Sequence, residues 1–361
     1  MRLYQIVRQG EIMSNQKREI HPLKKMNANL ILDALADMKT ATRKQLAERT
    51  GLSQPTVNTI VLELEQKGIV CPGNFAASDG GRRPQCYTLQ TDHLRAAIVR
   101  VLPRKLIHAV VTVDGKVIRR NIWPISASDS HLEKLQTLLH TLKNQDDDIQ
   151  VVSIGVPGVV GTGGVLHAIP HVPSLEGVAL SYVLEEKLGL PVYVENDVNL
   201  VALGSIASNA GQSDSDMVLV HIGQGVGAGI VMNGQIVRGF SSFAGEISYM
   251  FKVPEAEQCA TLEYLLEQAD GLQQKAQLIA DLVINIICLL NPPTIVFGGE
   301  FTTEEMLRHL RHICESHLPL WTLPSFHQMT DGDAAYEKGL LTLVRDVLSE
   351  THFEHVGGSA S

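Results

Sequence analysis

The chain has 361 residues, of which 44% are hydrophobic, and its formal net charge is −9. Its length favours two or three domains with sizeable cores. The charge is uneven, because residues 1–90 carry 13 lysines and arginines against 8 aspartates and glutamates, whereas the remaining residues carry 17 against 31. A basic first part on an acidic body indicates that only the first part meets a polyanion.

The five cysteines are far apart and show no C-x-x-C spacing. This pattern argues against a disulfide framework and against a four-thiolate zinc site. The N-terminus lacks the apolar segment of a signal peptide, and no apolar run reaches 18 residues. We therefore expect a cytoplasmic protein with no membrane partner.

The first ninety residues predict a winged helix-turn-helix, which is mainly helical. Apolar residues recur at helical spacing over Asn27–Met38, and Thr42 is placed to cap a short helix over Arg43–Arg49. Gly51 gives a tight turn, and Ser53 caps a second helix that has a proline in its first turn, where proline is tolerated. Two helices joined by a tight glycine turn form a helix-turn-helix.

The second helix and the hairpin after it predict a DNA-binding surface. Short polar side chains on the helix could reach base edges in a major groove. The hairpin joins Ile69-Val70 to Gln85–Leu89 through a glycine hinge with two arginines, which suits contact with phosphates. A three-helix protein-interaction module, or a merely solvated basic turn, are the alternatives. The candidate DNA-binding residues are Ser53, Gln54, Thr56, Asn58, Arg82 and Arg83.

The rest of the chain contains an internal repeat. The D-G hairpin over Val113–Arg119 recurs as an N-G hairpin over Met232–Arg238, and each follows an apolar strand. The pattern predicts two α/β lobes over 91–207 and 208–361, with a ligand site in the cleft between them. We expect a C-terminal helix over 334–349 to pack back on the first lobe.

A polar cluster, Glu195-Asn196-Asp197, separates an apolar strand from a predicted helix. Ligands bind at such strand ends in doubly wound sheets. Asn196 and Asp197 could bind substrate hydroxyls, and Asp197 could act as a general base. The alternative is that one of them only caps the helix. Glu246 and Glu263 are further candidates for hydroxyl binding, although most glutamates are simply solvated.

Glycine-rich turns predict places where backbone approaches a ligand. Gly223–Gly229 contains four glycines and suits a phosphate, whereas the matching first-lobe turn, Leu102–Leu106, has neither glycine nor carboxylate. Gly155–Gly158 and Gly298-Gly299 each end a predicted strand and could form a pocket wall, and Gly158 is a candidate ligand contact. Close packing and ordinary loop punctuation are the alternatives for these glycines.

Together these motifs resemble the ROK family of repressors, open reading frames and sugar kinases, and the winged helix is similar to that of its NagC/XylR-type regulators. The resemblance covers about residues 27–348. The segments that carry it are Gly80–Pro84, Gly155–Gly158, Glu195–Asn199, Gly223–Gly229, Gly245–Ile247 and Gly298-Gly299.

The resemblance implies an actin-like ATPase (ribonuclease H-like) body, a homodimer or homotetramer, and a sugar or sugar-phosphate effector. Asn196 and Asp197 match the family's sugar-contacting pair, in which the aspartate is the catalytic base of the kinases. Glu246 and Glu263 match further sugar contacts.

Departures from the family pattern predict lost activities. Arg100–Arg104 stands where the kinases carry D-x-G-G-T, and Gln224 replaces a threonine. Tyr249 replaces the histidine of the structural zinc site, and of the family's cysteine cluster only Cys259 is present. Zinc needs three or four ligands, so we expect no zinc, no other cofactor and no kinase activity.

The sequence therefore predicts a DNA-binding regulator that represses carbohydrate-metabolism genes. Its expected partners are operator DNA and a sugar or sugar phosphate bound between the lobes. The alternative is an ATP-dependent sugar kinase with an added DNA-binding head, in which Asp197 is the base. A partner protein as the effector also stays open.

Overall fold

The computed structural model describes residues 22–75, 83–90, 94–169, 172–208, 216–223, 225–250 and 261–355. The described residues form two compact units. The first unit runs to Asn196 and resumes at Leu340, and the second unit is Asp197–Gly339. The predicted domain boundaries at residues 90 and 207 differ in kind from this division into compact units. They stay predictions.

The described part of residues 22–90, which we call the head, contains three helices and a three-stranded sheet of order β1-β3-β2. Its elements are α1 (Pro22–Met38), β1 (Ala41–Thr42), α2 (Arg43–Thr50), α3 (Gln54–Gln66), β2 (Val70–Phe75) and β3 (Gln85–Leu89). The predicted winged helix-turn-helix is confirmed.

Local chemistry sets the ends of the head helices. The Thr42 side chain accepts from the Gln45 N–H while Gln45 bonds back to the Thr42 backbone, which is a capping box at the start of α2. Gly51 ends α2 with φ 71°, a left-handed conformation that glycine adopts without strain. Ser53 caps α3 by accepting from the Thr56 N–H at 3.3 Å. The inward faces meet in a core that includes fully buried Leu46.

The first unit continues with a five-stranded sheet of order β10-β7-β4-β5-β6. Strands β4, β5 and β6 form an antiparallel meander, and β7 and β10 add in parallel on the other side of β4. The elements are β4 (Arg95–Leu102), β5 (Lys105–Thr112), β6 (Val117–Pro124), α4 (His131–Gln145), β7 (Ile149–Val156), β8 (Val159–Val160), β9 (Leu166–His167), α5 (Leu180–Leu188) and β10 (Val192–Asn196).

The second unit repeats this topology in the order β13-β12-β11-β14-β15. Again a meander of three strands is extended by two parallel strands. The elements are α6 (Asp197–Ser208), β11 (Met217–Ile222), β12 (Val226–Met232), β13 (Gln235–Ile236), α7 (Leu262–Gln268), α8 (Gly271–Leu290), β14 (Thr294–Gly298), α9 (Glu304–His317) and β15 (Ser325–Gln328), and α10 (Gly332–His355) follows. The predicted pair of α/β lobes with a repeated hairpin is confirmed.

Helices α8 and α10 are the longest described helices of the chain. Helix α8 is long and apolar enough to cross a membrane by length and composition, but buried core helices pass the same test, and seven of its side chains pack in the core of the second unit. Helix α10 is longer than predicted, and from Leu340 onward it belongs to the first unit.

Candidate DNA interface and effector site

Helix α3 presents a polar face to solvent. Gln54 and Asn58 are exposed and one helical turn apart, so they share one face. The hydroxyls of Ser53 and Thr56 already make local hydrogen bonds. They lie 2.8 Å apart, and the Ser53 hydroxyl caps the helix. Arg83 is exposed, whereas Arg82 lies outside the described residues. Of the predicted DNA-binding residues, Gln54, Asn58 and Arg83 are thus the most available for contact.

The end of α3 carries an unusual lysine. Lys67 is half-buried, and this burial lowers its pKa to about 8, an effect that nearby Glu63 opposes and Lys24 reinforces. Lys24 and Glu63 form an ion pair at 2.8 Å. The charge of the head therefore depends on pH close to neutrality.

The end of β10 brings two predicted site residues of the first unit together. The Asn196 side-chain amide donates to the Gly158 carbonyl at 2.7 Å. Gly158 has φ 93°, and a Cβ there would lie 2.5 Å from the Ala168 carbonyl oxygen, so only glycine fits. Glu195, which is 4% exposed, accepts the Asn196 backbone N–H at 2.9 Å. The buried carboxylate therefore helps to hold Asn196 in place.

Asp197 opens helix α6 in the second unit, where a carboxylate is stabilised by the helix dipole. Its Oδ1 accepts the N–H of the next residue, Val198, at 2.8 Å. Asp197 thus satisfies one backbone donor of the first turn, and helix capping stays an alternative. This contact is compatible with a second role for the carboxylate.

Two acidic side chains of the second unit act on a third, Glu246. Burial raises the pKa of Glu246 most, and the charges of Asp197 and Glu263 raise it further. Glu263 Oε1 accepts the Val226 N–H at 2.9 Å, while Oε2 is buried without a hydrogen-bond partner among the described residues. Such a group needs a donor, and a ligand hydroxyl would supply one. Asp197 and Glu263 are thus near enough to Glu246 for their charges to raise its pKa.

An aromatic pair flanks Glu246 along the chain, and sequence reasoning missed it. The rings of Phe243 and Tyr249 are 5.4 Å apart between centroids, and both side chains are about half exposed. Backbone bonds tie the segment into a compact turn, since the Glu246 N–H donates to Phe243 O and the Tyr249 N–H to Glu246 O. In the sequence, this pair is visible only as two aromatic residues, Phe243 and Tyr249, that lie six positions apart on either side of Glu246.

Two of the four glycines in the predicted phosphate loop, Gly223–Gly229, do not lie in a loop. Gly227 and Gly229 lie inside β12 rather than in a loop. A Cβ on Gly229 would lie 2.5 Å from Ala202 Cβ and 2.9 Å from the Val198 carbonyl oxygen. Gly229 therefore admits α6 against β12, which is the packing alternative. Gly223 and Gly225 flank the turn, and Gln224 between them lies outside the described residues.

The predicted absence of zinc stays a prediction. Cys259 lies outside the described residues. Across the described ranges, no group of histidine, cysteine and acidic side chains could hold a metal ion. Tyr249 is half exposed and has its ring against Phe243.

Comparison with known proteins agrees with both parts of the chain. The model of the ROK family matches residues 103–261, and a model of winged helix-turn-helix DNA-binding domains matches residues 29–70. Residues 103–261 are therefore similar to the ROK family, and residues 29–70 are similar to winged helix-turn-helix domains. The match to the ROK model includes the hairpins of both units and the carboxylates Asp197 and Glu246.

Curated relatives include two repressor-type proteins. The xylose repressor of Caldicellulosiruptor bescii is 31% identical over 241 residues, which are 63% of this chain and 59% of the relative. The DNA-binding transcriptional dual regulator NagC of Escherichia coli is 27% identical over 249 residues, which are 66% of this chain and 60% of the relative. This chain thus matches about three fifths of the length of each.

Solved structures share the fold of this chain. A crystal structure of a ROK family transcriptional regulator, described as a homologue of the E. coli MLC protein, has a TM-score of 0.72 at 18% identity and covers 91% of this chain and 98% of its own. A ROK hexokinase from Thermus thermophilus has a TM-score of 0.57 at 19% identity and covers 69% and 97%. At these identities the likeness establishes the fold alone.

Proposed function

We propose that the protein is a transcriptional repressor of carbohydrate-metabolism genes that is controlled by a sugar or sugar phosphate. The proposal is supported by the raised pKa of Glu246, to which the charges of Asp197 and Glu263 contribute, and by the unpaired, buried Oε2 of Glu263, in a chain that also has a winged helix-turn-helix. Carboxylate oxygens accept hydrogen bonds from hydroxyls, and charge-assisted bonds contribute about 1.5–3 kcal/mol each. The names of the repressor relatives support the same function.

The proposed effector contacts are Asp197, Glu246 and Glu263. Asn196 and Gly158, which belong to the first unit, stay candidate contacts. The proposed DNA contacts are Gln54, Asn58 and Arg83, with Ser53 and Thr56 orienting the start of α3. A homodimer or homotetramer would place α3 helices on half-sites of a palindromic operator.

A thermal-shift screen tests the effector site. The panel contains D-xylose, N-acetyl-D-glucosamine, D-glucose, D-glucose 6-phosphate and ATP. A ligand at one hundred times its dissociation constant should stabilise the fold by about 2.7 kcal/mol. We expect a sugar or sugar phosphate to raise the melting temperature and ATP to leave it unchanged.

Matched variants locate the binding. Asp197→Asn and Glu263→Gln should remove most of the sugar-induced shift. Glu267→Gln should keep it, because Glu267 is exposed one helical turn beyond Glu263 on α7. A shift that survives both site variants would overturn the assignment of the pocket. Silence from every compound would favour a partner protein as the effector.

The second candidate is an ATP-dependent sugar kinase, which the position of Asp197 at the start of α6 favours. Against it, β4 and β5 are joined by a two-residue turn, Pro103-Arg104, where a phosphate loop needs glycine and an acidic group. We therefore propose that the protein is not an enzyme. ATP hydrolysis that depends on a sugar and is abolished by Asp197→Ala would reverse this choice.

A further inference from the structure

Helix α10 holds a buried arginine that joins three segments of the first unit. The Arg345 side chain is 4% exposed, and its Nε donates to the Val113 carbonyl at 2.9 Å. Its Nη1 forms an ion pair with Asp33 on helix α1 of the head. A guanidinium has fixed, forked donors, so one side chain can hold a carbonyl and a carboxylate at once.

Contacts on either side of Arg345 strengthen the same junction. Asn29 on α1 donates to the carboxylate of Asp346 on α10. The turn after Val113 also takes part, because Lys39 of the head pairs with Asp114 at 3.3 Å. A Cβ on Gly115 would lie 2.8 Å from Leu341 Cδ2, so this turn lies directly against α10. We call these contacts the Arg345 junction.

The beginning of α10 packs just as closely in the second unit. A Cβ on Gly204 of α6 would lie 1.8 Å from the Ala335 carbonyl oxygen, and one on Gly339 would lie 1.9 Å from the Leu200 carbonyl oxygen. Backbone therefore touches backbone where α6 and α10 cross. Since no flexible side chains separate the two helices there, a displacement of one has to be followed by the other.

Helix α6 starts at Asp197, the proposed effector contact, and α10 continues from this crossing to Arg345. We infer that Arg345 is a positioning residue that fixes the DNA-binding head to the first hairpin, and that α10 transmits effector-induced movement of α6 to the head. The inference rests on the proposed function for its second half. The first half rests on the junction alone.

Hydrogen–deuterium exchange of the full chain tests the anchoring without ligand or DNA. We compare wild type with Arg345→Met and Asp33→Asn, and use Arg49→Met as the control, since Arg49 pairs with Asp37 in an exposed contact inside the head at 3.5 Å. We expect amides of α1 over residues 28–38 to exchange at least about tenfold faster in both junction variants, while β11 and β14 keep their protection. The control should resemble wild type.

Equal protection of α1 in wild type and in a folded junction variant would overturn the anchoring. If Arg345→Met is insoluble, Asp33→Asn decides, because the amide keeps the shape of the side chain while it loses the charge and one acceptor oxygen.

Operator binding tests the transmission. A duplex selected from a random library by the wild-type protein is titrated by fluorescence anisotropy with and without N-acetyl-D-glucosamine, D-xylose or D-glucose 6-phosphate. Wild type should change its duplex Kd by about 5–150-fold with the active probe. Asp33→Asn should reduce that ratio to within about twofold of unity while its own Kd for the sugar, measured by calorimetry, stays at the wild-type value.

The outcomes separate the two claims. A wild-type response in Asp33→Asn would overturn the transmission through the junction. A wild type that selects no duplex, or responds to no probe, would overturn the proposed function and the transmission with it. The exchange experiment still decides the anchoring in that case.

Discussion

The two five-stranded sheets have the same strand order, but their matching hairpin turns have different neighbours. The turn of the first unit, Asp114-Gly115, lies against α10 and pairs with Lys39 of the head. The turn of the second unit, Asn233-Gly234, instead bonds to Asp216 within its own unit. Because a sheet is held by its strands, its turns can acquire different contacts without changing the topology.

The interiors of the two meanders differ as well. Strand β12 contains Gly229, which lets α6 approach its backbone, whereas the matching strand β5 contains no glycine. The acidic side chains that form the proposed effector site also belong to the second unit. The close approach of α6 to β12 and three of the proposed effector contacts therefore lie in the second unit, whereas the hairpin turn that contacts the head lies in the first.

The largest expected effect breaks the close packing of α6 against α10 in the second unit. Gly204→Val should lower the free energy of unfolding by about 3 kcal/mol or more, because its Cβ would overlap the Ala335 carbonyl and the backbones cannot separate without losing contacts. Gly225→Ala should be nearly neutral, since a Cβ there meets no atom within 4 Å. Urea unfolding measures both. Similar losses in the two variants would contradict the packing argument.

The next effect concerns the acidic cluster. Glu246→Gln should weaken binding of the effector about 10–100-fold, which corresponds to the loss of one charge-assisted hydrogen bond. The same change should raise the stability of the unliganded protein at neutral pH, because it removes a buried charge that Asp197 and Glu263 repel. Calorimetry and thermal unfolding measure the two quantities.

The pH dependence of this variant follows from the raised pKa. Folded Glu246 binds its proton more tightly than the unfolded chain, so the free energy of unfolding falls as the pH rises above the ordinary value of 4.5 and through the raised pKa. Glu246→Gln should flatten that decline, and Glu267→Gln should not. An unchanged profile would mean that Glu246 is solvated rather than buried beside two acids.

The smallest effect sharpens the comparison of the two turns. Gly115→Ala and Gly234→Ala both place alanine at a positive φ, 87° and 71°, which costs about 1–2 kcal/mol. Only Gly115 is shown to lie against Leu341. We therefore expect Gly115→Ala to cost more, and to speed amide exchange in α1. If both variants lose the same free energy of unfolding and amide exchange in α1 does not change, the turn does not belong to the Arg345 junction.

The sequence predicted the elements whose signals are local. Thr42, Gly51 and Ser53 mark the helix ends of the head because capping is decided within a few residues. The repeated hairpins were visible for the same reason. The glycines of β12 left two interpretations open, since a phosphate loop and a close helix contact both require the absence of a side chain.

Long-range pairs could not be predicted in this way. Arg345 and Asp33 are 312 positions apart, and neither segment carries a sequence signal that identifies its partner. An arginine after Leu343 and Val344 was a hint of burial, but a solvated arginine on α10 has the same sequence. The convergence of Glu263 with Glu246 was obtained from the family resemblance and not from spacing.

The half-buried Lys67 has a practical consequence for any measurement on the head. With a pKa of about 8, about one fifth of these amines are neutral at about pH 7.4, and most are neutral at about pH 9. Two laboratories that choose different buffers would therefore titrate DNA with heads of different mean charge. Salt dependence of binding, which counts the neutralised phosphates, should be compared only at one fixed pH.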